Sequence, residues 1–170
     1  HRDRADENIW FASVADTAAD YGIEVITPDD PDTPEVLDRV RAAHPDLLFS
    51  FYYRHLLGTA LLDSAPLGAF NMHGSLLPAY RGRVPVNWAL IHGETETGAT
   101  LHAMTSKPDN GAIVDQMAVP ILRDDDAADV FAKITVAAEI VLSRSLPALA
   151  AGRATLTAQD LSRGGYFSGR

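Results

Sequence analysis

The sequence predicts an α/β domain in which helices cover a mainly parallel β-sheet. Segments with a helical spacing of apolar residues alternate along the chain with short apolar runs, which is the element order of layered α/β folds. The run 47–51 is apolar almost throughout, as expected for a strand buried on both faces of a parallel sheet. A length of 170 residues suits one domain with a hydrophobic core, and no internal repeat divides it.

The first part of the chain supplies two helices and a short strand by these criteria. Asn8 is a suitable N-cap for a helix that Gly22 ends. A strand is predicted at 23–26. After a loop rich in Pro and Asp, Thr33 caps a second helix, which Pro45 terminates before the apolar run described above.

The rest of the chain continues this alternation. The predicted elements, in order, are a helix at 59–64, a strand at 69–73, a helix at 84–92, strands at 98–104 and 112–119, and a helix from 124 to about 149. A turn-rich loop at 105–111 joins the last two strands. Ligands of such sheets bind beyond the carboxyl ends of the strands, so functional residues are expected in the loops there.

The composition excludes several classes of function. The net charge is −9 and no broad basic face is visible, so no nucleic-acid partner is expected. Cys is absent, which rules out disulfides and thiolate metal sites. No apolar run is long enough to cross a bilayer and no secretory signal is visible, so we expect a cytoplasmic protein without membrane insertion. Arg81 and Arg83 form a local basic pair that could hold an anion or lie in a solvated loop.

The stretch 69–83 carries the clearest chemistry. Asn71 and His73 are two residues apart in a predicted strand, so their side chains point to one face. His73 can give or take a proton near neutral pH, and the amide of Asn71 can donate to an oxyanion. Asp109 could orient the imidazole and stabilise its charged form. Because this set contains no Ser or Cys nucleophile, it suits attack by a substrate amine on a carbonyl group.

Structural roles remain open for the same residues. An isolated His73 could be a strand-end histidine bonded to backbone, and Asn71 could be a turn residue. Asp109 precedes Asn110 and Gly111, which makes it a natural turn residue too. The sequence around Ser75 lacks the Gly-x-Ser-x-Gly spacing of a nucleophile elbow.

No metal or dinucleotide site is predicted. His55, His92 and His102 lack the spacing of metal ligands, and we interpret them as structural or exposed. A glycine-rich dinucleotide fingerprint is also absent from the sequence. The residues alone therefore indicate an α/β domain with a site centred on an Asn and a His.

Two longer motifs in the sequence add information about the function of this site. The first is Asn-Met-His-Gly-Ser-Leu-Leu-Pro at 71–78, followed by Tyr-Arg-Gly-Arg at 80–83. The second is Thr-Gly-Ala-Thr-Leu-His at 97–102, followed by Asp-Asn-Gly-Ala-Ile at 109–113. Together they resemble the signature of enzymes that transfer a formyl group from 10-formyltetrahydrofolate. The resemblance covers essentially the whole chain, and it implies a Rossmann-like formyltransferase fold, 10-formyltetrahydrofolate as co-substrate, and no metal.

The resemblance also implies a role for each matching residue. Asn71, His73 and Asp109 match the family's catalytic trio. His73 would be the acid/base group, Asn71 the transition-state stabiliser, and Asp109 the residue that raises the pKa of His73. The positions that match folate-contacting segments of the family are His55, Leu56, Leu57, Arg83, Thr105, Ser106, Lys107, Pro108 and Asp109.

Within the family, the sequence is most similar to the formyltransferase domains of bifunctional polymyxin-resistance proteins. The similarity lies in residues 49–54, 87–88 and 93–98. Those domains N-formylate UDP-4-amino-4-deoxy-L-arabinose during lipid A modification, so the implied partner is a nucleotide-sugar substrate. The alternatives are another nucleotide-linked amino sugar, methionyl-tRNA as acceptor, or a folate-binding piece without catalytic activity.

The resemblance further predicts the domain organisation. Residues 1–152 match the catalytic core, and residues 153–170 match the start of a linker to a C-terminal subdomain. The family domain opens with a strand, a helix and a strand that precede His1, so we expect the fold to be truncated at both ends. A fused dehydrogenase/decarboxylase domain in the parent protein is a further option raised by this likeness.

Overall fold

A computed structural model describes residues 13–169 as five α-helices, one 3₁₀-helix and six strands. The bounds of the elements, in chain order, are α1 Val14–Asp20, α2 Pro34–Ala42, β1 Leu48–Phe51, α3 Thr59–Leu62, β2 Ala69–His73, β3 Arg81–Gly82, α4 Pro85–Ile91, β4 Glu96–Ala103, β5 Ile113–Pro120, α5 Ala127–Ala150, the 3₁₀-helix Leu161–Arg163 and β6 Tyr166–Phe167. The α/β fold class is confirmed. None of the helices within residues 13–169 has the length and apolar character needed to span a membrane.

The central sheet is mixed rather than mainly parallel among the described strands. Its order is β1-β2-β4-β5, with β1 parallel to β2 and the other two pairs antiparallel. β4 and β5 are consecutive strands joined by a loop without a helix, so the chain reverses direction between them. Within the described part of this sheet, the predicted parallel arrangement holds for β1 and β2, which are connected through α3.

The N-terminal elements differ most from the prediction. The helix expected after Asn8 is described only from its cap at Ser13, and Asn8 itself lies outside the described residues. Gly22 follows the helix with φ +67°, as predicted for a C-terminal glycine. The strand predicted at 23–26 is wrong, because this segment pairs with no strand among the described residues and Ile23 is exposed. Thr33 caps α2 as predicted.

The hydrophobic core lies between the sheet and α5. Asp126 and Asp129 form a capping box at the start of this helix, and Pro147 lies inside its last turns without ending it. The buried α5 side chains lie on one stripe that packs against β4 and β5. They include Val130, Ile134, Ala137, Val141 and Leu149.

The C-terminal segment folds back onto the loops that follow β2 and β4. Thr157 forms an antiparallel bridge with Ile113 at the start of β5. β6 pairs in parallel with β3, which lies in the loop after β2. The segment after Gly152 therefore lies against the parts of the chain that carry the motifs, and its assignment as the start of a linker stays a prediction.

Candidate active site

His73 is the last residue of β2, and only 6 % of its surface is exposed. Its ring nitrogen Nε2 lies 2.8 Å from the carbonyl oxygen of Tyr80. A carbonyl oxygen only accepts hydrogen bonds, so Nε2–H is the donor and Nδ1 is the nitrogen left to exchange a proton. Nδ1 faces Asp109, with 3.6 Å between it and the carboxylate oxygen Oδ1.

Asp109 reaches His73 by a route that the sequence did not predict. β4 runs antiparallel to β2, so the loop after β4 starts beside the beginning of β2 rather than beside its end. The loop then places the Asp109 carboxylate against the sheet face that carries His73 and His102. The backbone N–H of Gly82 donates to Asp109 Oδ2 over 2.8 Å. The predicted Asn71–His73–Asp109 neighbourhood is thus present, although the strand direction behind it differs.

His102 lies inside this cluster, although its spacing predicted only a structural or exposed histidine. It pairs with Asn71 across β2 and β4 and is 1 % exposed. Its Nε2 lies 3.2 Å from the side-chain amide nitrogen of Asn71 and 3.4 Å from Asp109 Oδ1. Its Nδ1–H donates to the carbonyl oxygen of Ala103 over 2.9 Å. His102 therefore connects Asn71 with Asp109.

Burial and charge shift the protonation of this cluster in defined directions. Burial lowers the pKa of His73 below its ordinary value of 6.5, and the opposing effects of Asp109 and the Tyr80 carbonyl do not cancel it. Asp109 thus acts on the pKa of His73 in the expected direction, but the net shift is downward. Burial raises the pKa of Asp109, but contacts with His102, His73 and the Gly82 N–H outweigh burial and hold that pKa below 3.8. At neutral pH the site contains a carboxylate beside a largely neutral His73.

The turn after His73 is held by a set of buried and half-buried polar side chains. Thr100 Oγ1 donates to the carbonyl oxygen of Ser75 over 2.6 Å and accepts from the N–H of Leu77 over 3.1 Å. Gln116 Nε2 donates to the carbonyl oxygen of Leu77 and to Thr100 Oγ1, each over 2.8 Å. Ser75 Oγ donates to the Ala79 carbonyl. The serine is therefore engaged with backbone, and the turn that carries the Tyr80 carbonyl is fixed relative to His73.

Tyr80 and Arg81, at the end of the same turn, bond it to neighbouring segments of the chain. The ring of Tyr80 stacks on Phe167 with 5.2 Å between centroids, and its hydroxyl donates to Glu94 over 2.5 Å. Arg81 donates to Asn110 Oδ1 over 3.0 Å and to the carbonyl oxygens of Leu161 and Gly164. The guanidinium of Arg81 is thus engaged with the loop beside Asp109, so it is not a solvated loop charge.

The predicted folate-contacting residues lie in two loops and after β3. His55, Leu56 and Leu57 follow β1, whose carboxyl end lies beside that of β2 because the two strands are parallel. Leu56 is 70 % exposed, and the contact of this loop with folate stays a prediction. Arg83 directly follows β3 and is exposed. The remaining positions, Thr105, Ser106, Lys107, Pro108 and Asp109, form the loop between β4 and β5.

The cluster has the groups for acyl transfer between bound reactants. It offers an amide donor, a neutral imidazole and a carboxylate on one side of a strand end. No group of three or more His, Cys, Asp or Glu side chains within residues 13–169 is arranged to hold a metal ion. Asn71 and His102 contact each other at 3.2 Å, so the amide that could stabilise an oxyanion has a fixed neighbour.

Comparison with known proteins assigns this arrangement to a family. Residues 4–146 match the formyl transferase family. The chain belongs to the formyl transferase family. Both motif regions, 71–83 and 97–113, lie inside the matched segment of this formyltransferase chain.

Solved structures share the formyltransferase fold. The chain superposes on a sugar N-formyltransferase from Shewanella sp FDAARGOS_354 with a TM-score of 0.75 and 22 % identity, covering 89 % of this chain and 58 % of that one. An N-formyltransferase from Helicobacter canadensis, in complex with folinic acid and dTDP-3-aminofucose, matches with a TM-score of 0.75 and 23 % identity, covering 95 % of this chain and 56 % of that one. Glycinamide ribonucleotide transformylase 1 from Symbiobacterium toebii matches with a TM-score of 0.76 and 27 % identity, covering 85 % of this chain and 74 % of that one. The chain thus spans little more than half the length of the first two proteins.

Proposed function

We propose that this formyltransferase chain transfers the formyl group of 10-formyltetrahydrofolate to the amine of a nucleotide-linked amino sugar. The observation that carries the proposal is the contact of Asp109 with His73 at 3.6 Å, on the strand that also carries Asn71. The specific acceptor that we propose is UDP-4-amino-4-deoxy-L-arabinose, which would give the chain a place in lipid A modification and polymyxin resistance. That choice rests on the resemblance of residues 49–54, 87–88 and 93–98.

In the proposed reaction the substrate supplies the nucleophile. The amine nitrogen attacks the formyl carbon, a C–N bond forms, and the carbonyl oxygen takes up negative charge. The amide of Asn71 donates a hydrogen bond to that oxygen. Collapse of the tetrahedral intermediate breaks the bond from the formyl carbon to N10 of the folate, which leaves as tetrahydrofolate after N10 gains a proton.

His73 moves the proton in this scheme. Because its Nε2–H is bonded to the Tyr80 carbonyl and its pKa lies below 6.5, Nδ1 carries a free electron pair at neutral pH. Nδ1 takes a proton from the attacking amine and returns one to the departing N10, so the protons balance over the cycle. Asp109 stabilises the imidazolium that exists between these two transfers.

The support for a nucleotide-sugar acceptor has two sources. The Helicobacter canadensis structure contains dTDP-3-aminofucose together with folinic acid, and its fold matches this chain. The net charge of −9 also argues against a tRNA acceptor, since a polyanion is bound by basic surface. The proposed location is the cytoplasm, where folate donors and nucleotide sugars are available together.

The proposal is tested by a formylation assay on the full chain. The chain is incubated with 10-formyltetrahydrofolate and, in separate reactions, UDP-4-amino-4-deoxy-L-arabinose, dTDP-3-aminofucose and methionyl-tRNA, and the N-formyl products are measured by mass spectrometry. Product with the UDP-sugar alone is the expected result. Product with another amine and none with this one would overturn the specific acceptor. No product with any amine, together with a folate-dependent rise in melting temperature, would instead support a folate-binding piece without activity.

The domain boundary at residue 152 and a fused dehydrogenase/decarboxylase domain belong to the same proposal. Residues 153–170 would serve as the start of a linker, and β6 within this segment pairs with β3 in the loop after β2. Limited proteolysis of the parent protein, followed by mass spectrometry of the fragments, tests whether cleavage occurs close after this segment.

A further inference from the structure

We propose that Gln159, in the C-terminal segment, is a positioning residue that sets the location of Asp109. Its side-chain Nε2 donates to the backbone carbonyl oxygen of Asp109 over 3.0 Å and to that of Gly111 over 2.6 Å. One amide group thus holds the backbone on both sides of Asn110. This inference rests on the proposed function, because it assigns Gln159 a role in the action of Asp109 on His73.

The orientation of the Gln159 amide is dictated by its partners. Both carbonyl oxygens only accept hydrogen bonds, so the NH₂ group must face them with its two hydrogens. This leaves the Gln159 Oε1 atom buried, and it has no hydrogen-bond partner in the part of the chain that the structure describes. An amide that served only to complete the packing would be placed where both of its ends are satisfied. In the observed orientation the two N–H donors of Gln159 are bonded to the Asp109 loop, while its side-chain oxygen is left without a described partner.

The Asp109 backbone needs such a restraint. Its φ is +53°, in the left-handed region that residues other than Gly occupy rarely, although Asp tolerates it better than most. Two further hydrogen bonds reach side chains of this turn: the Gly82 N–H holds the Asp109 carboxylate, and Arg81 holds Asn110. Gln159 is the side chain that bonds the main chain of the turn at two points.

Gln159 is itself held in place by its neighbours. Thr157, two residues before it, exchanges backbone hydrogen bonds with Ile113, each over 2.8 Å. On the other side, Arg81 donates to the carbonyl oxygen of Leu161, two residues after Gln159, over 3.2 Å. The segment is therefore anchored on both sides of Gln159, so the position of its amide is transmitted to the Asp109 loop.

The electrostatic effect of Asp109 on His73 falls with distance, which gives Gln159 a measurable consequence. At 3.6 Å the carboxylate raises the pKa of His73 against the effect of burial. If the loop relaxes away, that contribution shrinks and the pKa of His73 falls further. A merely structural residue of the C-terminal segment would change the stability of the chain without changing this pKa.

The test compares four proteins: the full wild-type chain, Gln159→Met, Asp109→Asn and Ser162→Ala. Gln159→Met removes both donors while keeping the length of the side chain. Ser162→Ala is the matched control, because it removes one hydrogen bond of the same segment without changing any charge. The pKa of His73 is measured by NMR titration of its Cε1–H, which requires no acceptor substrate, and kcat is measured with the amine that the formylation assay identifies.

We expect the pKa of His73 to fall in Asp109→Asn and to fall by a smaller amount in Gln159→Met, while Ser162→Ala matches wild type. We also expect Gln159→Met to lower kcat, by up to roughly 100-fold, as a displacement of about 1 Å does in other enzymes. An unchanged His73 pKa in Gln159→Met, with the Asp109→Asn shift present, would overturn the positioning role and leave the proposed function intact.

Two further outcomes separate this inference from the proposed function. An unchanged pKa in Asp109→Asn would overturn both, since Asp109 would then have no influence to be positioned. Absence of turnover with every amine would overturn the proposed function alone, because the titration still reads the placement of Asp109. If Gln159→Met does not fold, Gln159→Asn, which keeps the amide but is one CH₂ shorter, is judged by the same comparison with Asp109→Asn.

Discussion

The N-terminal helices and the α5 side of the sheet are built in opposite ways. Neither α1 nor α2 contains a buried residue within the described chain, and Val14 in α1 is 81 % exposed. In α5, by contrast, Val130 is completely buried and further buried side chains line the face toward the sheet. Local stability follows the burial of apolar side chains, so these two regions should open with different free energies.

The difference shows what the candidate active site depends on. His73, Asn71 and Asp109 are fixed by β4, by the turn after β2 and by the C-terminal segment, as the contacts of His102, Gly82 and Gln159 show. No hydrogen bond described for this cluster comes from α1 or α2. Changes in the two regions should therefore have separable effects on activity and on stability.

The largest expected effect is that of His73→Ala on turnover. Loss of the acid/base group should lower kcat by roughly 100-fold or more, because general acid–base catalysis contributes about that much. The rate is measured with saturating 10-formyltetrahydrofolate and amine, and circular dichroism checks that the variant is folded.

The control for that variant lies in the other region. His44 follows α2 with φ +48°, and Asn tolerates this conformation well, so His44→Asn should keep both fold and kcat. Turnover of His73→Ala within a factor of about three of the His44→Asn rate would contradict a proton-transfer role for His73.

The same contrast explains which features the sequence could predict. The helices, β2 and the Asn71–His73 spacing follow from local patterns, and the structure contains them. The direction of β4 and the place of His102 depend on strand pairing over about thirty residues, which no local pattern contains. The predicted strand at 23–26 failed for the related reason that strand propensity needs a neighbouring strand to be realised.

The next largest effect is expected on the free energy of unfolding, when the same Val→Ala substitution is made in both regions. Val130→Ala removes two methyl groups from a fully buried site and should lower the free energy of unfolding by about 2 kcal/mol. Val14→Ala removes the same groups from an exposed helix position and should change it by less than about 0.5 kcal/mol. Urea unfolding monitored by circular dichroism measures both values. Equal losses in the two variants would show that α1 is part of the cooperative core.

Helix caps give a smaller version of the same comparison. Asp126 caps α5 with two backbone N–H contacts, and Ser13 caps α1 with one. Asp126→Ala should cost about 1 kcal/mol of global stability, the usual value for a lost N-cap. Ser13→Ala should lower the free energy of unfolding in urea by at most about 0.3 kcal/mol, because α1 can fray without opening the core. A larger loss in Ser13→Ala than in Asp126→Ala would reverse the proposed ranking of the two regions.

The last expected effect is the contribution of His73 to the pH dependence of stability. The pKa of His73 is lower in the folded state than the 6.5 of an exposed histidine, so the unfolded chain binds more protons at this position between pH 7 and pH 5. Unfolding therefore becomes easier as the pH falls through this window, by at most about 1.4 kcal/mol per pH unit for one proton. The lowered pKa of Asp109 acts in a separate window: its stabilisation is present above pH 3.8 and is lost only as the pH falls through the folded-state pKa.

Urea unfolding of wild type and His73→Gln at pH 7 and pH 5 isolates the histidine, since all other groups are common to both proteins. The difference in stability between the two pH values should be smaller in His73→Gln, and an equal difference would mean that burial does not suppress the charge of His73.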